Sequence, residues 1–242
     1  MQAAHLHAVP FENFDPLLGK VPAVDLAGIC AKIVDGRRGG YCFEQNSLFD
    51  AALKAGGFST RRALARVRMR FGTEAARSHL VLLVEIDGQV WLADVGFGGP
   101  GSLAPLLLEI GTEQQVPNGT YRFTEDTERE ETVLERLDED GWLELYAFDR
   151  SRVSDGEIAA ANYSCATWSE APFSSHLLLG CFVGDVRYGV FDRSLSIERA
   201  DGIERREFSD FEDFAGFVSG EAGIGLSREA LAEAWGKIAS VP

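Results

Sequence analysis

Three residues of this chain have the types and placement to carry acyl chemistry: Cys42, His79 and Asp94. Cys42 stands in Arg38-Gly-Gly-Tyr-Cys42-Phe-Glu-Gln-Asn46, where two glycines give way to a helix-periodic run. A thiol at a helix N-terminus has its thiolate favoured by the exposed backbone N–H groups, which makes such a position a candidate nucleophile. A single cysteine can equally be a small buried hydrophobe, and Cys30, Cys165 and Cys181 read that way. A thiolate, an imidazole and an orienting carboxylate together form the arrangement that moves acyl groups through a thioester.

The histidine and the aspartate can be brought together by local geometry alone. The apolar runs His79–Ile86 and Gln89–Val95 flank Asp87-Gly88, and a two-residue Asp-Gly loop predicts a type I′ hairpin. Ile86 then faces Gln89, Val81 faces Asp94 and His79 faces Gly96, and alternation puts His79, Val81, Asp94 and Gly96 on one side. His79 and Asp94 become diagonal neighbours, with backbones roughly 7–8 Å apart, a gap their side chains can bridge. A charged Asp94 among apolar neighbours is costly to bury unless paired, and His79 is the available partner. The plainer alternative is that His79 begins a strand and Asp94 ends one, capping the turn into Gly96.

These residues need a scaffold, and the pattern supplies one. Leu48, Phe49, Ala52 and Leu53 recur at helical spacing ahead of Gly56-Gly57, which predicts a helix over 42–55. Strand patterns follow at 61–71, 79–86, 90–95, 120–123, 132–137 and 142–148, separated by turn signals, a succession that predicts an antiparallel sheet or barrel. The acidic stretch 124–140 reads as a solvated hairpin. Beyond Asn162, strands at 177–183 and 187–191 and a closing helix at 228–238 give a mixed α/β tail.

Composition removes several function classes. A net charge of −15 disfavours extended contact with nucleic acid or an anionic membrane. The four cysteines form no C-x-x-C pair, and the four histidines do not cluster at ligand spacing, so no metal site is expected. Gly96-Phe-Gly98-Gly-Pro-Gly101 fits G-x-G-x-x-G, but the strand before it is half of a hairpin, and Pro100 and Pro105 spoil the helix a pyrophosphate would need. It reads instead as a loop beside the site. With no leader-like or membrane-length apolar run, the expectation is a soluble cytoplasmic protein.

The residues that carry the chemistry also carry a resemblance. His7-Ala-Val-Pro-Phe11-Glu-Asn13, the Arg38–Asn46 segment, Ser78-His79 with its apolar strand, and Leu92-Ala-Asp94-Val-Gly-Phe97-Gly98 occur in the order seen in arylamine N-acetyltransferases, with a weaker match at Asn162-Tyr-Ser and Pro172-Phe173. The resemblance implies an α+β fold: a helical segment over 1–57, a central antiparallel β-barrel over 58–160 and an α/β lid over 161–242, with a papain-like triad of Cys42, His79 and Asp94. It implies acetyl-CoA as co-substrate and a small aromatic amine, hydrazine or N-hydroxyarylamine as acceptor, by ping-pong kinetics. Phe11, Phe97 and Phe173 would line the acceptor pocket, and Ser78, Gly96 and Gly98 would meet acetyl-CoA. Arg38 and Glu12 would form a buried ion pair bracing the Cys42 loop. Members carry a further helical stretch before the His7 segment, so the resemblance implies a shortened helical part here. An amide synthase on a polyketide acyl chain, a thiol hydrolase and a silent small-molecule binder are the competing functions.

Overall fold

The computed structural model describes residues 1–69, 72–199 and 201–238. The first elements are helix α1 (Gln2–Ala8), strand β1 (Phe11–Glu12), and helices α2 (Phe14–Leu17), α3 (Leu26–Cys30, continued as a π turn over Ala31–Asp35) and α4 (Cys42–Ala55). Strands β2 (Ser59–Val67), β3 (Arg77–Ile86), β4 (Gln89–Ala93), β5 (Leu106–Leu107), β6 (Gln114–Val116), β7 (Gly119–Asp126), β8 (Glu131–Asp138) and β9 (Gly141–Phe148) follow. After helix α5 (Asp155–Thr167) come β10 (Leu178–Val183), β11 (Val186–Phe191), β12 (Ser194–Arg199) and β13 (Gly202–Glu207), then helices α6 (Phe211–Ser219) and α7 (Arg228–Ile238).

The expected barrel is present. Its strands run in the order β5-β4-β3-β2-β9-β8-β7-β6. The sheet curls until its two short outer strands meet: the Gln114 side chain accepts from Leu107 N and donates to Leu107 O, both at 2.8 Å. One amide side chain thus stands in for the missing backbone pairing at the seam, which leaves less open edge. Val81, Leu83, Tyr121, Phe123, Leu134 and Phe148 fill the interior. The strand expected over 61–71 corresponds to β2, which ends at Val67, and positions 70 and 71 of that expectation lie outside the described residues. Helix α4 begins and ends where its glycines and apolar spacing put it, and Phe49 and Leu53 pack on Leu82, Val84 and Ala93 of the hairpin.

A second antiparallel sheet, β1-β10-β11-β12-β13, is covered by α6 and α7 around Phe14, Phe208, Phe214, Phe217 and Leu231. Its edge strand β1 comes from the chain's beginning, pairing Phe11 with Gly180, so the helical segment and the tail share one sheet. The pattern reading left out α5, although Ser154 and Glu157 form a capping box at its start. It also left out β12, β13 and α6. No helix among the described residues is long and apolar enough to cross a membrane.

The acidic stretch is a hairpin, β7–β8, but it is not simply solvated: Glu131 and Glu135 are buried. Glu135 pairs with Arg122 at 2.6 Å, and Glu131 meets Arg68, delivered into the sheet just past the end of β2. Its guanidinium is itself buried and reaches Asp126 at 2.6 Å, Glu131 at 3.0 Å and Glu144 at 3.1 Å. Removing one member of a buried ion cluster leaves its partners uncompensated, which costs about 3 kcal/mol or more. Arg68→Met is therefore expected to lower the urea unfolding free energy by that amount, and Arg68→Met with Glu131→Gln to recover part of it. A double variant no better than the single one would show that the guanidinium's packing, rather than its charge, matters.

Candidate active site

The site is built outward from the start of α4. Gly39 and Gly40 let the chain lie against the Pro10–Glu12 segment, with Glu12 N donating to Gly40 O at 3.1 Å and Gly40 N to Pro10 O at 3.2 Å. A Cβ at Gly39 would sit 2.2 Å from Pro10 O, so only glycine permits the approach. The expected Arg38–Glu12 pair is there, at 2.7 Å, with Glu12 buried. It belongs to a larger cluster in which Lys32 reaches Asp15 and Glu44, each at 2.8 Å. Glu44 also accepts from Tyr41 N at 3.2 Å, satisfying a backbone donor just ahead of Cys42. Burial pushes its carboxyl up to about 7, against the pull of Lys32.

The β3–β4 hairpin has the register read from its turn. Asp87 and Gly88 have φ of 52° and 77°, as type I′ requires, and pairing runs from Ile86↔Gln89 to Leu82↔Ala93. Beyond Ala93 the chain leaves the strand and turns Asp94 inward, where His79 Nε2 lies 2.7 Å from its Oδ2. Tyr146 on β9 donates its hydroxyl to the same oxygen at 2.9 Å. The other oxygen, Oδ1, accepts from Asn46 Nδ2 and from Gly96 N, both at 2.9 Å. Both oxygens of the buried carboxylate are thus filled by donors, which holds its pKa below the ordinary carboxylate value although burial opposes ionisation. Burial also disfavours the imidazolium, but Asp94 outweighs it and raises His79 to about 10.

With Nε2 taken by Asp94, the other ring nitrogen of His79 is left to act on Cys42, and both residues line the same cavity. Cys42 Sγ is 3.6 Å from Ser78 O. Burial pushes the thiol above its ordinary value while His79 pulls it back. The close approach of loop and helix depends on Gly96, where a Cβ would lie 2.6 Å from Cys42 Cα. Cys165, expected to be an ordinary buried hydrophobe, is buried but belongs to this site: its Sγ is also 3.6 Å from Ser78 O.

Cys42 and His79 open on a cavity of about 880 Å³, with Asp94 behind the imidazole. The structure brings Phe11, Phe97, Phe173, Ser78, Gly96 and Gly98 to the wall of the same cavity. Phe97 packs on both His79 and Tyr146, with ring centroids 5.2 and 5.1 Å apart. The loop 96–101 lines the cavity rather than opening a helix. Sequence reasoning missed Tyr146, Asn46 and Cys165 as members of the site. Asn46 alone had a local signal, one helical turn beyond Cys42 on the same face. Tyr146 and Cys165 arrive from β9 and α5 through long-range packing.

Comparison with known proteins gives a consistent result. A sequence profile described as N-acetyltransferase matches residues 1–231. An arylamine N-acetyltransferase of Mycolicibacterium smegmatis is 32% identical over 246 residues, covering 99% of this chain and 88% of that protein. An arylamine N-acetyltransferase / N-hydroxyarylamine O-acetyltransferase of Salmonella typhimurium is 37% identical over 180 residues, covering 74% of this chain but only 63% of that protein's length. The structure of Mycobacterium marinum arylamine N-acetyltransferase in complex with CoA superposes with a TM-score of 0.92 at 31% identity, covering 98% of this chain and 90% of that one.

The electrostatics of the His79–Asp94 pair have a measurable sign. A histidine raised in the folded state contributes stability that is complete below its ordinary value of 6.5 and is lost as pH rises through about 10. The unfolding free energy of the wild type is expected to exceed that of Asp94→Asn most near about pH 5.5, and the gap to shrink toward about pH 10. Urea midpoints at constant ionic strength measure it, and a gap that stays flat or widens would refute the ion pair.

Proposed function

The chain belongs to the arylamine N-acetyltransferase family, and on that premise we propose that it transfers the acetyl group of acetyl-CoA to an aromatic amine, hydrazine or N-hydroxyarylamine through an acetylated Cys42. The observation that carries this reading is the buried series Cys42, His79, Asp94 opening on an aromatic-walled cavity.

Each residue has a role that follows from its contacts. Cys42 gives up its proton to His79, and Sγ attacks the carbonyl carbon of the acetyl thioester. The tetrahedral adduct collapses, the bond to the CoA sulfur breaks, and the imidazolium returns the proton to that departing sulfur. In the second half the acceptor nitrogen attacks the acetyl-cysteine, His79 takes its proton, and the Cys42 thiolate is released. Asp94 fixes the imidazole's orientation and supports its charge, which is why its own four donors matter. Cys42 stands at the first position of α4, and free N–H groups at a helix start stabilise a developing oxyanion.

Phe11, Phe97 and Phe173 give the cavity walls that suit a flat acceptor, which stacks against aromatic faces. Ser78, Gly96 and Gly98 are assigned to the acyl donor, since they line the cavity on which Cys42 opens. Four free thiols are in keeping with a cytoplasmic enzyme.

Brief exposure of the wild type to acetyl-CoA without amine is expected to add one acetyl group by intact mass, mapped by peptide analysis to Cys42 rather than Cys165, and an arylamine then to remove it. Cys42→Ala should gain none. An unmodified, folded wild type would end the acetyl-CoA reading and turn attention to a carrier-bound acyl donor. Loss of the acetyl group to water at the same rate with or without amine would make the enzyme a hydrolase.

A further inference from the structure

The cavity wall holds a second set of charges that the thiol chemistry does not use. Arg187 on β11 stands directly opposite Glu198 on β12, and Arg136 reaches them from β8 of the barrel. Arg136 Nη2 donates to Glu198 Oε1 at 2.8 Å and to Asn118 O at 3.1 Å. Arg187 donates to Glu198 Oε2 and to Gly98 O, both at 3.3 Å. All three side chains line the cavity and are three-quarters or more buried, at 17%, 17% and 24% exposure for Arg136, Arg187 and Glu198.

Two guanidinium groups share the one carboxylate of Glu198, and Asp138, also on the cavity wall, acts on Arg136 from outside the trio. Arg136 Nε is buried without a hydrogen-bond partner. Burial pushes Arg187 below its ordinary value, and the neighbouring Arg136 adds to the shift, so Glu198 does not fully compensate it. Buried charge persists where something pairs with it. The wall beside Arg187 is also kept bare: a Cβ at Gly189 would lie 2.8 Å from Ser196 Oγ and 3.7 Å from Arg187 Nη1. Through Gly98 O the cluster is tied to the loop whose Phe97 packs on His79.

We infer that Arg136, Glu198 and Arg187 form an anion subsite of the cavity, taking a carboxylate or phosphate group of a substrate whose reacting end lies at Cys42. The inference rests on reading this cavity as the substrate cavity. A planar guanidinium matches such oxygens in pairs, and Glu198 holds both arginines in place at the cavity wall, with Arg136 Nε left without a partner.

Binding to Cys42→Ala protein, where no acyl transfer occurs, tests the subsite apart from the chemistry. Calorimetry would compare 4′-phosphopantetheine with pantetheine, and 4-aminobenzoate with its ethyl ester, so that each pair differs by the anionic group. Arg187→Met is expected to weaken the anionic member of at least one pair about tenfold or more while leaving its neutral counterpart unchanged. Glu198→Gln, which removes the competing carboxylate, is expected to tighten the same anionic ligand several-fold, a direction that loss of a mere structural brace would not give. Selectivity confined to the phosphopantetheine pair identifies a phosphate, and confined to the aminobenzoate pair a carboxylate. Equal changes for charged and neutral members of both pairs, in variants whose melting shows them folded, overturn the subsite. Failure of wild-type Cys42 to be acetylated would instead sink the acetyl-transfer reading and leave this comparison intact.

Discussion

One buried carboxylate governs the geometry of this protein. Asp94 is taken out of water at the end of β4, and an ion there is tolerable only when its lone pairs are filled. Its donors come from four places: His79 on β3, Asn46 on α4, Tyr146 on β9 and the backbone of Gly96. Satisfying the ion therefore locks helix to barrel. Cys42 and Asn46 are one helical turn apart and share a face, so the bond that draws Asn46 to Asp94 also turns Cys42 toward the imidazole. Asn46 is held from other sides too, donating to Leu80 O at 2.6 Å and accepting from Val95 N at 3.0 Å. The thiol's position is in this sense a by-product of paying for a charge.

The helix must also be held from its far side, and a different balance of charge does that. Lys32 and Arg38 face Glu12, Asp15 and Glu44, two positive groups against three negative ones. The imbalance is eased because Glu44, raised to about 7, is partly protonated at neutral pH. In the Arg136–Glu198–Arg187 cluster two guanidinium groups share one carboxylate, and there is no such outlet, since a guanidinium keeps its proton. The first cluster closes on itself and the second faces a cavity. An overall charge of −15 says little about either, because screening confines charge effects to within about 8 Å at physiological salt.

What could be read from the sequence was whatever local chemistry decides. Asp87-Gly88 fixes a turn and the turn a register as far as Leu82↔Ala93, past which Asp94 turns in to meet His79 without the strand pairing expected there; every step needs only residues 79–96. The helix at 42–55 is likewise written in its own glycines and apolar spacing. Tyr146 was out of reach for the opposite reason. It approaches Asp94 because β9 pairs with β2, across some eighty residues of chain, and alternation along β9 says which residues share a face but not what that face meets. The same holds for Arg136 and Glu198, which join the barrel to the second sheet. The capping box at Ser154 and Glu157 was a local signal for α5 and could have been read. Its consequence, a second thiol beside Ser78, could not.

That second thiol sharpens the question of what makes a nucleophile. Cys42 and Cys165 are both buried and both lie 3.6 Å from the Ser78 carbonyl oxygen. Burial drives Cys165 up to about 12, and nothing pulls it back. Cys42 suffers the same desolvation but has His79, whose charge is sustained by Asp94, and it stands at the first position of α4 rather than within a helix. Enclosure alone would silence both thiols. The difference between them is the influence of one imidazole, and that imidazole is dependable only because the carboxylate behind it has every oxygen occupied.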